Sequence, residues 1–531
     1  MITLSLLNAA LVFLAQVVGG QAAPVDFPKQ CADLASSLKI QDGTISFTQF
    51  VPANTSLALP PTAPSCNQPA AQFVSVDLCR VGLNITTSTR SSLRMEAWLP
   101  LNWTGRFLSI GNGGLGGCIT YEDLEYAASL GFSTVGTNNG HDGQSGLPFF
   151  NNIEVINDFA YRAVHVGVVA GKQISQTFYK RRHTKSYYLG CSTGGRQGFK
   201  SAFAYPEDFD GIVAGAPAIS FNNLTSWSAG FYPLTGPPGS GTFPPLALWP
   251  VIHQDVHAKC DALDGVVDGI LEAPDLCQYD PKDLVCAQGQ NSSCLTPTQA
   301  ETVRKIYSPL RSADGSFVYP RLQPGAEGAE APFAMFNGIP FGSSDWFKYA
   351  VLSDPNWDPA TLKPADYDLS SRLNLGGIET WHGDLSAYKK RGGKILHYHG
   401  SQDGIISSEI SPRYYEHVSR TMGQSPARLD EFYRFFRISG LQHCGRGNGA
   451  GFIGNRKANT ASLRPDENVL MATVQWVERG IAPDTITGIA VRGGSLANGV
   501  DYKRRHCRWP YRNQYKGVGD AKNEDSWHCV R

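Results

Sequence analysis

The stretch from 185 to 199 restricts the fold of this chain more than any other, because a β-rich run passes through a glycine-flanked serine into helix-compatible residues. The turn reads Gly190-Cys-Ser-Thr-Gly194, with Ser192 at its centre. At such a sharp turn the serine takes a strained backbone conformation, and side chains two residues to either side would collide with the adjoining strand or helix. The G-x-S-x-G pattern also arises by chance in glycine-rich chains, so its strand-turn-helix context is what predicts a serine exposed at the end of a buried strand.

Strands and helices alternate on both sides of this turn. Apolar runs predict buried strands over residues 106–110, 132–136, 186–189, 211–215, 393–399 and 432–438. Helical spacing predicts helices over 158–179, 412–422 and 467–479. Asp158 is expected to cap the first of these helices. Such alternation is typical of a parallel sheet with helices on both faces.

The alternation stops between about residues 218 and 385, where Pro, Gly and aromatic residues become frequent. A chain of 531 residues is long enough for one large domain with an insertion or for two domains. We therefore predict an α/β fold whose main domain comprises residues 23–217 and 386–531. Residues 218–385 are predicted to be an inserted lid domain.

The charge balance excludes some classes of partner. Lys plus Arg and Asp plus Glu both total 46, so the formal net charge is zero. No basic field attracts nucleic acid or an anionic membrane, and neither is expected as a partner. The sequence leaves the oligomeric state open.

The first 22 residues predict export. An uncharged apolar run from Ile2 to Val18 is followed by small residues, which is typical of a secretory signal peptide cleaved after Ala22. An N-terminal membrane anchor is the alternative, although the run is short for a bilayer span. The twelve cysteines, an even number, favour a disulfide set in an oxidising compartment. Five sequons are candidate surface glycan sites: Asn54, Asn84, Asn102, Asn223 and Asn291. We expect a secreted, extracellular protein.

Three side chains with complementary chemistry follow predicted strands. Ser192, Asp403 and His443 occur in this order, each in a loop directly after a strand, which is the α/β-hydrolase arrangement. A serine hydroxyl is a poor nucleophile until a neutral imidazole takes its proton, and a carboxylate fixes the imidazole's tautomer. We predict that the three form a catalytic triad.

Other histidines and aspartates compete for these roles. His397 and His399 lie inside a predicted strand, where packing roles are more common. Asp430 and Asp466 do not follow a clean apolar strand, whereas Asp403 does. His443 and Asp403 are therefore preferred.

Two cysteines flank the predicted pair. Cys191 immediately precedes Ser192, and Cys444 immediately follows His443. A bond between the two sulfurs would bring their Cα atoms to roughly 5–6 Å and hold serine and histidine within reach of each other. The alternative is that each cysteine pairs elsewhere or stays free.

Backbone donors near Ser192 are predicted to stabilise an oxyanion. The candidates are the N–H of Thr193 and one from Gly113 or Gly114, in the glycine-rich loop 111–117. The alternative is that this loop is only a tight turn.

An acidic loop is the one candidate metal site. Residues 261–270 contain three carboxylates and two glycines, which suit a hard cation and a solvated acidic turn equally. The spacing does not match an EF-hand.

The Cys-Ser, Asp and His-Cys pattern resembles that of the tannase and feruloyl esterase family of α/β-hydrolases. The likeness covers nearly the whole chain after the signal, and Gly190-Cys-Ser-Thr-Gly-Gly-Arg-Gln-Gly198 is its most specific part. The resemblance implies that Ser192 is acylated and that Cys191 and Cys444 are bonded. It also implies five further disulfides: Cys31–Cys79, Cys66–Cys118, Cys260–Cys277, Cys286–Cys294 and Cys507–Cys529. It implies a structural calcium ion held by the carboxylates of Asp261, Asp264 and Asp268 and the carbonyls of Val266 and Ile270.

Within the family, the likeness to type-B fungal feruloyl esterases implies a phenolic ester substrate on plant cell-wall polysaccharide. The expected activity is therefore a secreted carboxylic ester hydrolase that releases ferulic or related hydroxycinnamic acids, without an organic cofactor. A tannase acting on galloyl esters, a catalytically silent secreted binding protein on the same scaffold, and a metallohydrolase using the acidic loop are the alternatives. Five aromatic residues of the insertion either line an apolar pocket or form lid core: Trp227, Phe231, Tyr232, Phe243 and Trp249.

Overall fold

The structure is a computed structural model that describes residues 26–328 and 330–531. The predicted signal peptide, residues 1–22, lies outside the described residues. Within them, no helix has both the length and the apolar composition needed to traverse a bilayer.

Seventeen strands are found in the described residues. They are β1 (Gly43–Val51), β2 (Thr55–Ala58), β3 (Ala71–Val74), β4 (Leu78–Ser88), β5 (Ser91–Pro100), β6 (Arg106–Ile110), β7 (Phe132–Thr137), β8 (Lys185–Cys191), β9 (Gly211–Gly215), β10 (Leu310–Arg311), β11 (Phe317–Tyr319), β12 (Lys394–Gly400), β13 (Tyr433–Ile438), β14 (Thr485–Val491), β15 (Val500–Cys507), β16 (Arg512–Tyr515) and β17 (Trp527–Val530).

The same ranges contain fifteen α-helices. They are α1 (Phe27–Ser37), α2 (Tyr121–Ser129), α3 (Ile153–Asn157), α4 (Ala163–Tyr179), α5 (Thr193–Ala204), α6 (Phe221–Ala229), α7 (Phe231–Thr235), α8 (Trp249–Cys260), α9 (Pro297–Ile306), α10 (Glu330–Ala334), α11 (Pro364–Leu373), α12 (Ser386–Lys390), α13 (Ile410–Met422), α14 (Pro426–Leu429) and α15 (Val469–Arg479). Short 3-10 turns and two π-helical turns connect them.

A nine-stranded mixed sheet forms the centre, in the order β1-β4-β5-β7-β6-β8-β9-β12-β13. The first pairings, through β5 with β7, are antiparallel, and all pairings from β7 to β13 are parallel. Both faces of the parallel part are covered, so its strands are apolar runs rather than alternating ones. Tyr187 of β8 packs into the core on one face and Tyr188 into the core on the other. The predicted α/β fold is confirmed.

The predicted elements agree with the structure to within two residues at most ends. The exception is the helix predicted over 158–179, which opens with a π-helical turn, Asp158–Arg162, before α4. The prediction that Asp158 caps this helix is wrong. Its carboxylate is fully buried, accepts hydrogen bonds from Thr87 and Ser91 and pairs with Arg162. A buried carboxylate needs such partners, and these come from β4, β5 and the next turn of the helix.

The region between β9 and β12 holds α6 to α12 and the small hairpin β10–β11, and none of these joins the central sheet. After β13, the chain adds α15 and two antiparallel pairs, β14–β15 and β16–β17. The boundaries of the lid domain, 218 and 385, remain a prediction.

All twelve cysteines are paired, and the described residues contain no free cysteine. The six disulfides are those that the resemblance implied: Cys31–Cys79, Cys66–Cys118, Cys191–Cys444, Cys260–Cys277, Cys286–Cys294 and Cys507–Cys529.

The sequons differ in accessibility. Asn54, Asn84, Asn102 and Asn291 are exposed. Asn223 is half-buried, and its amide nitrogen, the atom that would carry a glycan, donates to Ser220 Oγ at 3.1 Å. The structure therefore favours the other four sites.

Candidate active site

Ser192 lies at the sharp turn between β8 and α5. Its backbone angles are φ 67° and ψ −124°, a conformation that residues other than glycine rarely adopt. A Cβ on Gly190 would lie 2.7 Å from the backbone of Gly194, and a Cβ on Gly194 would lie 3.0 Å from the carbonyl of Asn112. The two glycines therefore let the strand and helix approach closely enough to expose Ser192 at the carboxyl edge of the sheet.

The structure brings together the three residues of the predicted triad. Ser192 Oγ donates to His443 Nε2 at 2.9 Å, and His443 Nδ1 lies 2.8 Å from Asp403 Oδ2. The three follow β8, β12 and β13, which lie close together in the parallel part of the sheet. In this arrangement Nδ1 carries the proton, and Nε2 is free to accept one from the serine.

Asp403 is held as a carboxylate by its surroundings. The side chain is fully buried, and its Oδ1 accepts hydrogen bonds at 2.8 Å from the backbone N–H groups of Ile405 and Ile406. Burial by itself would raise the pKa of Asp403, but the imidazoles of His443 and His399 hold it well below its usual range.

His399 has a role that sequence reasoning missed. Its Nε2 lies 3.1 Å from Asp403 Oδ2, and its Nδ1 lies 2.6 Å from Ser411 Oγ. His397, in contrast, contacts Tyr433 and Ser411 and is a packing residue, as expected. Only the position of His399 four residues before Asp403 hints at this contact in the sequence.

Glu330 is a second residue that sequence reasoning missed. It begins α10 in the inserted region, and its Oε2 accepts hydrogen bonds from the backbone N–H of His443 at 3.0 Å and of Gly404 at 3.4 Å. Burial and the charge of Asp403 both raise the pKa of Glu330. This carboxylate thus joins the loops that carry Asp403 and His443.

The charges around His443 favour its protonated form. Burial disfavours the imidazolium, but Asp403 and Glu330 together outweigh burial and the opposing charge of Arg456. The pKa of His443 is therefore raised from its ordinary value of 6.5.

The disulfide Cys191–Cys444 joins the neighbours of Ser192 and His443. The two Cα atoms are 5.9 Å apart, and the bond spans 253 residues of sequence. It ties the loop after β8 directly to the loop after β13, two segments that are distant in the chain.

The predicted oxyanion donors are only partly brought together. Gly114, Thr193 and Ser192 line the same cavity, and Thr193 Oγ1 donates to the Gly114 carbonyl at 2.6 Å. Gly113 lines a neighbouring cleft instead. Gly114 has φ 60°, in the left-handed region that favours glycine. Gly114 is thus better placed than Gly113 to supply a second donor beside Thr193.

The cavity beside Ser192 has a volume of about 230 Å³ and a largely apolar lining. Its apolar walls are Leu115, Phe221, Leu224, Phe341 and Ile405. None of the five aromatic residues that the sequence suggested as pocket lining or lid core borders this cavity in the described structure. Four of them are buried in the hydrophobic core: Trp227, Phe231, Phe243 and Trp249. Of the two alternatives for these residues, pocket lining and buried core, the structure supports buried core for these four.

A family model described as tannase and feruloyl esterase matches residues 79–530. The chain belongs to this family. The probable feruloyl esterase B-2 of Aspergillus terreus is 51% identical over 510 residues, covering 95% of each chain. The crystal structure of feruloyl esterase B from Aspergillus oryzae has a TM-score of 0.91 and 47% identity, covering 95% of this chain and all of that one. The tannin acyl hydrolase from Aspergillus niger, with a TM-score of 0.75 and 22% identity over 96% of each chain, shares the fold. These findings confirm the predicted α/β-hydrolase fold and the resemblance of the sequence to the tannase and feruloyl esterase family.

The family resemblance implied a calcium ion at the acidic loop. The three carboxylates of this loop differ from one another in burial and in hydrogen-bond partners. Asp261 and Asp264 are buried, and Asp261 Oδ1 has no hydrogen-bond partner in the described structure. Burial raises the pKa of Asp264 to about 7. Asp268 Oδ2 pairs with Arg504 at 2.7 Å instead.

These side chains do not form a metal site by themselves. Among the described residues, no group of three or more His, Cys, Asp or Glu side chains is placed to hold a metal ion. Two buried carboxylates with an unpartnered oxygen nevertheless suit a hard cation, provided that backbone carbonyls such as those of Val266 and Ile270 complete the ligand set.

Proposed function

We propose that this protein is a secreted carboxylic ester hydrolase that releases ferulic or related hydroxycinnamic acids from esterified plant cell-wall polysaccharide. The observation that carries the proposal is the hydrogen-bonded chain from Ser192 through His443 to Asp403, opening into an apolar cavity. Relatives of about 50% identity over nearly the full length that are named feruloyl esterases support it.

The proposed reaction has two half-reactions. Ser192 Oγ attacks the ester carbonyl as His443 Nε2 takes its proton, and the resulting imidazolium gives that proton to the departing alcohol oxygen. Water then attacks the acyl-enzyme as His443 takes its proton, and the imidazolium returns that proton to Ser192 Oγ as the acyl–oxygen bond breaks, so that the phenolic acid leaves and Ser192 is restored. The N–H groups of Thr193 and Gly114 are the proposed donors to the oxyanion.

The cavity favours a feruloyl over a galloyl group. A galloyl ring carries three hydroxyls, and each would need a hydrogen-bond partner when buried. The walls at Phe221, Leu224 and Phe341 offer none. The hydroxyls of Thr225 and Ser228, which also border the cavity, already donate to acceptors within the protein. A methoxylated ring with a propenoyl arm has fewer hydroxyls to pair and buries apolar surface there. A tannase activity is therefore the second candidate, favoured only by the shared fold.

A panel of methyl esters tests the proposal. Wild-type protein is expected to hydrolyse methyl ferulate and related hydroxycinnamates with a higher kcat/KM than methyl gallate. Ser192→Ala should reduce kcat by a factor on the order of 10⁴ or more, because the nucleophile and its base act as a unit. The melting temperature of this variant should stay close to that of wild type, which shows that the loss is chemical.

Other outcomes would select other functions. Faster hydrolysis of methyl gallate would make the protein a tannase. Failure of a serine-reactive phosphonate to label Ser192, with no hydrolysis of any phenolic ester, would leave the silent binding protein. Loss of activity in excess chelator with full return on adding metal, at unchanged melting temperature, would favour the metallohydrolase.

We also propose that the acidic loop binds a structural calcium ion through Asp261 and Asp264. The cation would compensate the buried carboxylates, and the expected result of chelation is a lower melting temperature that added calcium restores. Asp261→Asn should remove this calcium dependence. A melting temperature that does not respond to chelator or calcium would contradict the site.

Secretion, glycosylation and the lid function are further parts of the proposal. Six disulfides and four exposed sequons support an extracellular location. The insertion supplies Phe221, Leu224 and Phe341 to the cavity wall, which supports its role as a lid over Ser192.

A further inference from the structure

A second cleft lies beside the cavity that contains Ser192. It has a volume of about 550 Å³ and is bounded by the N-terminal segment around 66–73, the glycine-rich loop and the start of α2. Gln144 lines both the cleft and the Ser192 cavity. The two spaces also share the loop at Gly113 and Gly114, with one glycine bordering each.

One wall of the cleft is tied to the loop that carries His443. Arg456 lines it, and the charge of Arg456 acts on the His443 imidazole. The neighbouring Asn455 donates to the carbonyl of Cys444 at 3.0 Å, which ties the segment around 455–457 to the His443 loop. An ester bound for attack has its acyl group on one side of the carbonyl and its alcohol on the side of the proton donor, His443. With the apolar cavity taking the acyl group, the alcohol faces this cleft.

The cleft lining suits a ligand with many hydroxyl groups. Four amide side chains border it: Asn67, Gln68, Gln72 and Gln144. Each amide both donates and accepts hydrogen bonds, as sugar hydroxyls do. Gln68 Oε1 is buried without a partner in the described structure. Phe73 in the same lining is 55% exposed, and its ring offers an apolar face for stacking.

The charges of the cleft cancel. Arg456 lies 3.9 Å from Glu122, and Lys457 lies 2.9 Å from Glu125, so two positive and two negative side chains are paired. No net charge remains to select an anionic or cationic ligand.

We propose that this cleft binds the neutral sugar residues of the ester's alcohol portion and so acts as the leaving-group subsite. The inference rests on the proposed function. It assigns Phe73 as a stacking residue and Gln72 as a hydrogen-bonding residue for an oligosaccharide that carries the phenolic ester.

Two substrates test the subsite: methyl ferulate, which has no sugar, and a feruloylated arabinoxylo-oligosaccharide. Phe73→Ala is expected to lower kcat/KM for the oligosaccharide about five- to tenfold, in line with the loss of one stacking contact, and to change methyl ferulate hydrolysis less than about twofold. Gln72→Ala should act in the same direction. Phe317→Ala removes a similarly exposed ring from β11, outside the cleft lining, and should affect neither substrate.

The outcomes separate the two proposals. Wild-type protein that hydrolyses neither substrate would contradict the function itself. If wild type hydrolyses both, then an equal fall for both substrates in Phe73→Ala, or no change for either in both cleft variants, would overturn the subsite. A selective loss for the oligosaccharide in Phe317→Ala as well would also overturn it.

Discussion

Single residues determine how the Ser192–His443 pair responds to pH. A general base must be neutral to accept a proton, so kcat/KM rises with pH through the pKa of His443. Asp403 and Glu330 raise that pKa above 6.5 by stabilising the imidazolium. The acidic limb of the pH profile for methyl ferulate should therefore have its midpoint above pH 6.5. A midpoint below 6.5 would contradict the electrostatics of the site.

Glu330 affects His443 through its negative charge and through its hydrogen bonds to two backbone N–H groups, and two substitutions separate these effects. Glu330→Gln keeps an oxygen to accept from His443 N and Gly404 N but removes the negative charge. The pKa of His443 should fall, and the acidic limb should move to lower pH with little change in the plateau kcat. The other charges that face His443 are Asp403 and Arg456, and both remain.

Glu330→Ala removes the acceptor as well, and we expect kcat at the plateau to fall about tenfold, because both loops lose a shared anchor. Restoration of most of this kcat by Gln would identify Glu330 as a positioning residue. Equal losses in Gln and Ala variants, with no shift of the limb, would contradict that role.

At the level of secondary-structure elements, a disulfide bond joins the loop after β8 to the loop after β13. Cys191–Cys444 spans 253 residues, whereas Cys286–Cys294 spans 8 within the insertion. Removal of a native disulfide typically costs about 2–5 kcal/mol, with the larger values for longer loops. The first bond also adjoins Ser192 and His443, so its loss should affect rate as well as stability.

The double variant Cys191→Ser/Cys444→Ser is expected to lower kcat by at least tenfold, since a displacement of about 1 Å at a reacting group can cost 10²-fold. The matched control is Cys286→Ser/Cys294→Ser, which should lower the melting temperature but leave kcat within twofold. Steady-state kinetics at a temperature where both variants are folded measures the difference. A similar kcat in the two double variants would show that the tie has no part in positioning.

For the whole molecule, a buried arginine joins the C-terminal strands to the acidic loop of the insertion, beside a hydrogen bond from Gln514 to a backbone carbonyl of that loop. The Arg504 side chain in β15 is 2% exposed and pairs with Asp268 at 2.7 Å and Glu272 at 2.8 Å. Its guanidinium also lies 3.9 Å from the ring centroid of Trp527 in β17. Removal of this side chain would leave the buried Glu272 carboxylate without its cation.

Arg504→Ala should therefore destabilise the protein by about 3–5 kcal/mol, as expected for breaking a buried ion pair. Thermal unfolding measures the change as a lower melting temperature. The exposed pair of Arg464 with Asp466 supplies the control, and Arg464→Ala should leave the melting temperature unchanged. Equal melting temperatures for the two variants would contradict the role of Arg504.

The sequence by itself determined the local features of this protein. The glycines around Ser192, the strands that precede Asp403 and His443, and the cysteines beside the pair follow from short-range rules for strands, turns and helices. The remaining disulfide partners came from the family pattern, because spacing alone does not select among pairings.

Only the tertiary structure decided which distant residues meet at the site. Glu330 reaches His443 across 113 residues. Phe221 and Phe341 line the cavity beside Ser192, whereas Trp227 and Trp249 pack in the insertion without bordering it. These contacts depend on how the insertion packs over the sheet edge. Hydrophobic periodicity separates the apolar face of a helix from its polar face, but it does not tell which aromatic residue of α6 borders the cavity at Ser192 and which packs into the core.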